Sequence, residues 1–339
     1  MLHSAELLPP FRVANSQWET GREDGEKTIH RAAPVTSEEH TAQNSIAALP
    51  VVTYQASEPV IVDGSRTGAS YVLGGTAREH ERLSRQARIF NPFTERLFRN
   101  AGISRGQRVL DIGSGVGDVA MLVAELVGPT GEVVGVERDA NTLTKARSRV
   151  AEAQLRNVSF VEADVGQVAS SKLWSKPFDA VVGRLILEYV SDPAAVLRSL
   201  SNLVHSGGII VFQDCYWAPL LQLTAPLPLW AKCASLIYRA FERSGANINM
   251  EHLLYRAFLD AGLPTPKMVI EIPVGDSPDV RRWVYDLFCT LYPRMHEHNL
   301  STNEVGDLES LLSRLGAELD RTKSFAVCIG LIGAWSQMT

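Results

Sequence analysis

The residues best placed for chemistry are a carboxylate and a run of alternating glycines: Asp111, Gly113, Gly115 and Gly117, with Ser114 inside the turn they form. Glycine has no Cβ, so it lets a backbone turn sharply and come within contact distance of a ligand. A dinucleotide-binding turn spaces its glycines Gly-x-Gly-x-x-Gly and aims a helix N-terminus at a pyrophosphate. Here the spacing is Gly-x-Gly-x-Gly, and Asp111 stands two residues before the first glycine. A carboxylate there repels a pyrophosphate and suits a ligand with a cationic end, which argues against a nicotinamide dehydrogenase. Further on, Glu137 closes an apolar run about 20 residues beyond the glycines, where a carboxylate can accept both hydroxyls of a ribose. The alternative is an acidic helix cap, a role that Asp139 and Asn141 can already fill.

These residues need a scaffold, and the hydrophobic pattern supplies one. Val109, Leu110 and Ile112 read as a short buried strand, and Val116, Val119, Ala120, Val123, Leu126 and Val127 recur at helical spacing after the glycines. Glu132–Glu137 is a second strand, followed by a helix with Leu143, Ala146 and Val150 on one face. Asn157–Asp164 is a third strand and Phe178–Leu185 a fourth. Asp192-Pro193 starts a helix with a cap and a first-turn proline; Val196, Leu197, Leu200 and Val204 form its buried face, and Gly207 ends it. Gly208–Asp214 is the fifth strand. Strands alternating with helices at this spacing predict an α/β fold with a parallel sheet and right-handed crossovers.

Ahead of this core, Leu83, Ala87 and Phe90 share one helix face, and a second helix is expected from about Pro92 to Ala101. Beyond it, helices are expected over Trp230–Phe241, Met250–Ala261, Pro278 to about His298, and Thr302–Leu315. Strands are expected over Lys267–Val274 and Phe325–Trp335. Residues 1–68 are polar, with a short strand expected at Val60-Ile61-Val62, and read as a mostly disordered leader.

Composition narrows the function classes. Hydrophobic residues make up 45% of the chain, ample for a core, and the formal net charge is −5. Without a Lys/Arg-rich block, a phosphate-tracking nucleic-acid surface is not expected. The cysteines (Cys215, Cys233, Cys289, Cys328) are scattered, and no Cys-x-x-Cys suggests zinc or a redox pair. His296 and His298 are two apart, so they do not share a helix face, and no metal site is expected. His205 reads as a favourable charge at a helix end. No apolar stretch reaches membrane-spanning length and no signal peptide is evident, so the expected location is cytoplasmic.

Asp-x-Gly-x-Gly-x-Gly after a hydrophobic strand resembles motif I of the class I S-adenosylmethionine-dependent methyltransferases. Phe178–Leu185 resembles their motif IV. The resemblance covers about residues 70–339 and is closest to small-molecule enzymes of the ubiquinone/menaquinone-biosynthesis type, a group also found in bacterial secondary metabolism. It implies a doubly wound seven-stranded sheet, a Rossmann-like methyltransferase fold, whose last strand returns antiparallel between the fifth and sixth. Helical inserts after strands 5 and 6 would form a substrate cap. The domain would run over 69–339: a helical cap at 69–104, a cofactor-binding core at 105–215, and cap helices with the last two strands at 216–339.

The implied cofactor is S-adenosyl-L-methionine. Its implied contacts are Asp111, Gly113, Ser114, Gly115, Gly117, Glu137, Arg138 and Arg184, with Asp164 on the adenine amino group and Val165 beside the ring. Tyr71, Gly74, Glu79, Arg82 and Gln86 resemble a helix that closes over the cofactor; Arg82 pairing with Glu79 on a solvated surface is the alternative. Asn91-Pro92-Phe93 lacks the second proline of the Asn-Pro-Pro-Tyr of amino-directed nucleic-acid methyltransferases and reads as a helix break. Glu188, Tyr189, Asp214 and Tyr216 follow strands four and five and are the candidate base or acceptor-orienting groups. The implied function is O-, N- or C-methylation of a small, partly apolar metabolite by a monomer or homodimer. Trp217, Leu220, Leu221, Leu223, Leu227, Leu229 and Trp230 suit such an acceptor. Alternatives are a cofactor-retaining enzyme or binding protein that does not methylate, and a protein or RNA methyltransferase.

Overall fold

The structure is a computed structural model and describes residues 77–170 and 174–339. The leader over 1–68 and the Tyr71–Thr76 segment lie outside the described residues.

The first element is α1 (Ala77–Ala101), one continuous helix where two were expected. Pro92 lies inside it rather than at a first turn. A proline within a helix costs about 3 kcal/mol. Here Phe90 stands before it and Leu97 and Phe98 after it, all fully buried. Burying each such side chain is worth about 1.5–3 kcal/mol, so packing on both sides of the proline outweighs its cost.

The core then alternates as its periodicity requires: β1 (Arg108–Ile112), α2 (Asp118–Val127), β2 (Glu132–Glu137), α3 (Ala140–Glu152), β3 (Val158–Glu162), β4 (Phe178–Arg184), α4 (Pro193–Ser201) and β5 (Val204–Tyr216). Asp139 caps α3 by accepting from Thr142 N at 2.6 Å, and Asp192 caps α4 by accepting from Ala195 N at 2.9 Å. Alternate residues of β1 face opposite layers: Val109 joins Val119 and Val123 of α2, whereas Leu110 and Ile112 join the core that contains Leu197 and Leu200 of α4.

The second half holds α5 (Ala218–Thr224), α6 (Pro228–Arg243), α7 (Met250–Asp260), β6 (Lys267–Glu271), β7 (Val274–Gly275), α8 (Pro278–Glu297), α9 (Leu311–Thr322), β8 (Ala326–Val327) and β9 (Gly330–Gln337). Glu318 of α9 accepts from Leu229 N and Trp230 N at 3.1 Å each, and so caps α6, whose own first residues provide no side-chain cap. The main sheet has seven strands in the order β3-β2-β1-β4-β5-β9-β6, with β9 antiparallel to both neighbours. This is the doubly wound α/β sheet with a returning last strand that the resemblance implies.

Several boundaries differ from the sequence reading. Gly207 does not end α4: it lies inside β5 at φ +85°, and Val204 pairs with Phe178 of β4. His205 is therefore not at a helix end; its Nε2 lies 2.9 Å from Asp179 Oδ1. Pro273 separates β6 from β7, since proline cannot donate to a strand ladder. The helix expected over Thr302–Leu315 starts later, because Gly306 takes φ +72° and Asp307 accepts from Ser310 N at 2.8 Å in a turn. The apolar run Phe325–Trp335 divides into β8, which pairs with β7, and β9, which joins the main sheet.

Candidate active site

Strand order reverses between β1 and β4, and ligands of open α/β sheets sit at that switch point, outside the strands' carboxyl ends. A cavity of about 760 Å³ opens there. That volume lies within the range of about 300–1,000 Å³ typical of small-molecule sites.

The glycine turn forms one wall. Gly113, Gly115 and Gly117 all take positive φ (+67°, +52° and +88°). A Cβ at Gly113 would meet Ile186 Cδ1 at 2.7 Å. A Cβ at Gly115 would meet no atom within 4 Å and would project into open space. Gly113, Ser114 and Gly115 line the cavity, as do Glu137, Arg138, Asp164, Val165, Arg184 and Gln86. Gly117 is not among the lining residues; its Cβ position faces Phe160 at 3.1 Å, so it serves the packing of the turn.

Glu137 is held by backbone. Its Oε2 accepts from Gly115 N at 3.2 Å, and its Oε1 accepts from Arg138 N at 2.8 Å and Asp139 N at 3.0 Å. Asp139, not Glu137, caps the next helix. Asp164 accepts from Gly166 N at 2.9 Å in an exposed turn on the cavity wall.

Asp111 is fully buried two residues before the lining glycine and is not itself among the lining residues; neither of its carboxylate oxygens meets a well-aligned hydrogen-bond partner, the Ala120 N–H being the donor nearby. Burial pushes its pKa up to about 8, against the pull of the Arg184 guanidinium. Arg184 is fixed by donating from Nη1 to Asn91 Oδ1 (2.9 Å) and Thr94 Oγ1 (3.0 Å). Asn91, in a segment whose sequence reads as a helix break, thus positions a cavity residue. Arg82 does pair with Glu79, at 2.6 and 2.7 Å, but the pair is buried rather than solvated. Arg82 Nη1 also donates to Gln86 Oε1 at 2.7 Å, and Trp283 Nε1 of α8 donates to the same oxygen at 3.2 Å.

The candidate acceptor-side groups separate by depth. Glu188 and Tyr189, in a short turn after β4, line the cavity. Asp214 does not: it is fully buried behind them, and its Oδ1 accepts from Glu188 N at 3.4 Å. Tyr216 is not among the lining residues either; it packs beside Gly330 where β5 meets β9. Cys215 donates from Sγ to Glu188 Oε2 at 3.0 Å. Burial raises the Glu188 pKa to about 7, and burial together with the Glu188 charge raises that of Asp214 well above the carboxylate range.

The apolar wall comes from Trp217, Phe241 of α6, Trp283 and Leu287 of α8, and Ile329. Of the apolar insert residues singled out in the sequence, Trp217 alone is in this lining; Leu220, Leu227 and Trp230 are core and Leu223 is exposed. The helices α6 and α8 were legible, but which of their residues reach the cavity was not. His80, Asp118, Asp139 and Thr142 also line it without having been singled out as contacts. His296 packs edge-on against Tyr292 at 4.6 Å. No helix among the described residues is long and apolar enough to cross a membrane.

An orphaned buried carboxylate beside a cradle that a single Cβ would fill, with a second carboxylate across the turn, fits a ligand bearing cationic and ribose groups. The comparisons with known proteins agree. Residues 103–254 match the family model described as a methyltransferase domain. An arsenite methyltransferase of Aquipseudomonas alcaligenes is 35% identical over 178 residues, 50% of this chain and 48% of that protein. A ubiquinone/menaquinone biosynthesis C-methyltransferase of Coxiella burnetii is 28% identical over 159 residues, 46% of this chain and 59% of its own length. A ubiquinone biosynthesis O-methyltransferase of Albidiferax ferrireducens is 35% identical over 114 residues, 34% of this chain and 43% of that protein. The chain thus spans about half the length of the curated relatives it matches. The glycine turn and its carboxylates lie inside the stretch, residues 103–254, that matches the methyltransferase-domain model.

Proposed function

We propose that this chain transfers the methyl group of S-adenosylmethionine to a small, partly apolar acceptor. The observation that carries the reading is the glycine turn with its carboxylates: Gly115 leaves open space beside Glu137 in the cavity wall, and Asp111 lies buried at the foot of the turn, behind the lining. When bound, the cofactor supplies an electrophilic methyl group on a sulfonium. The chain's own residues do the rest. Glu137 accepts ribose hydroxyls, Gly115 leaves room for the ligand, and Arg184 offers its charge to a carboxylate. Asp164 and Val165 stand at the adenine position that the family resemblance implies.

The wall formed by Trp217, Phe241, Trp283 and Leu287 excludes water and aligns an apolar acceptor with the methyl group, which is most of what an in-line displacement needs. Arsenite, the acceptor named for one relative, is thiophilic. No cysteine is among the lining residues, and burial raises all four thiol pKa values, that of Cys233 to about 12. An organic acceptor therefore suits this cavity better.

Isothermal titration tests the reading. S-adenosylmethionine and S-adenosylhomocysteine should each bind with measurable heat and NAD should give none. An NAD isotherm without either sulfur ligand would overturn it.

A further inference from the structure

The lining residues contributed after β5 (Trp217, Phe241, Trp283, Leu287 and Ile329) are all uncharged and apolar. Trp217 and Phe241 pack against each other at a tilt of 50°, with ring centroids 5.0 Å apart. An aromatic wall of this kind favours an apolar, uncharged molecule, against which an aromatic ring can pack edge or face. Among the carboxyls that line the same cavity, Glu188 is buried and set in place from several sides. Cys215 of β5 donates to its Oε2 at 3.0 Å, and the Tyr189 hydroxyl, on the same turn, also donates to it. Its main-chain carbonyl accepts from Asn247 N at 2.7 Å, and its own N–H donates to Asp214. The titratable groups facing Glu188 are thus Cys215 and Asp214 from β5 and Tyr189 from its own turn.

Resting on the methyltransferase reading, we infer that Glu188 is the general base for O-methylation of an apolar, aromatic molecule bearing a weakly acidic hydroxyl, with Cys215 and Asp214 as positioning residues. Glu188 takes the hydroxyl proton as the oxygen forms its bond to the methyl carbon. The carbon–sulfur bond breaks, and its electron pair remains on sulfur as a neutral thioether.

The chemistry of the pair supports this assignment. Two buried carboxyls that feel each other's charge do not both ionise readily, and their proton affinities separate. Asp214, the deeper one, keeps its proton, and Glu188 is left to titrate near pH 7, where a base is most effective. The Cys215 thiol stays protonated, raised by the same burial, and so remains a donor to the Glu188 carboxylate. The positively charged lining residues, Arg82, Arg138 and Arg184, come from α1 and the ends of β2 and β4, none from the apolar wall. An anionic acceptor thus finds no counter-charge there.

The probe is 2-naphthol, with 2-methoxynaphthalene and 2-naphthoate as controls, added to the full chain already saturated with S-adenosylhomocysteine. Naphthol should bind saturably and quench tryptophan emission, and naphthoate should bind at least tenfold more weakly. With S-adenosylmethionine, naphthol should be converted to 2-methoxynaphthalene at a rate that rises with pH through about 7. Glu188→Gln should keep S-adenosylhomocysteine affinity, lose the limb near pH 7 and transfer about 100-fold more slowly or worse. Cys215→Ala removes a donor that favours the carboxylate, so the midpoint of the pH profile should move up with cofactor affinity unchanged. A merely structural role would leave that midpoint in place.

If S-adenosylhomocysteine binds and naphthol does not, or naphthol binds and is not methylated, the acceptor assignment is wrong while the cofactor reading stands. If Glu188→Gln transfers at the wild-type rate and profile, the base assignment is wrong. If that variant fails to bind cofactor, the wild-type profile decides: no inflection between about pH 6 and 8 overturns the proposal. Absent cofactor binding in the wild type would instead end the methyltransferase reading itself.

Discussion

Asp111 is the residue in which sequence and structure meet most directly. In the unfolded chain it is an ordinary carboxyl; in the fold burial raises it to about 8. Between these values the unfolded state gives up its proton while the native state keeps it. Asp111 thus contributes stability that is fully present below about pH 4 and is lost as pH rises through about 8. Replacing it with asparagine removes this dependence. Melting curves of the empty protein should show Asp111→Asn gaining on the wild type steadily from about pH 5 to 8; a constant difference would mean the carboxyl titrates normally. Glu137 gives a second prediction. Losing a charged acceptor should weaken S-adenosylhomocysteine binding by about 1.5–3 kcal/mol in Glu137→Ala, measured by titration calorimetry. The same carboxylate receives one backbone N–H of the glycine turn and two from the residues after β2, so the melting temperature of the empty variant should also fall. Unchanged affinity with a lower melting temperature would assign Glu137 to the turn alone.

At the scale of elements, what was legible followed from local chemistry. The glycine turn, the caps at Asp139 and Asp192 and the strand–helix alternation are written in adjacent residues, and they stand where spacing put them. What was not legible depends on contacts far apart in sequence. Pro92 reads as a break until Phe90 and Leu97 are seen buried on either side of it. Glu188, Asp214 and Tyr216 look alike as polar residues after strands, and only the fold sorts them into a cavity wall, a buried partner and a bystander. The packing of α1 on α8 is likewise tertiary. Arg85 reaches Asp286 and Arg88 reaches Asp279, each at 2.7 Å, while Gln86 and Trp283 share a hydrogen bond at the cavity rim. The Arg88 pair is half exposed and so contributes little. An α1 held by such contacts can open for cofactor exchange. Hydrogen exchange should therefore show residues 77–90 protected when S-adenosylhomocysteine binds; equal exchange with and without it would leave α1 as fixed packing.

For the molecule as a whole, the described lining of the cavity runs from His80 to Ile329, and the seven-stranded sheet is complete within the described residues. A chain shortened to begin at residue 69 should keep the full-length affinity for S-adenosylhomocysteine and the same unfolding midpoint. Loss of solubility or of affinity would show that the leader packs on the domain. The placement of β9 has its own consequence for how this sheet comes to exist. The strands β1 to β5 follow one another along the chain, yet the outer edge of β5 is paired by residues 330–337, after all of α5 to β8 has been made. While the chain is still emerging from the ribosome, the backbone of Ile209–Tyr216 therefore has no partner on that side, and β6 has no neighbour at all. Such an edge is a template for pairing with the wrong strand, and closing it late makes folding slow and exposed to aggregation. Synthesis rate and chaperone access in this interval, rather than the stability of the finished sheet, are then the quantities that govern the yield of active protein.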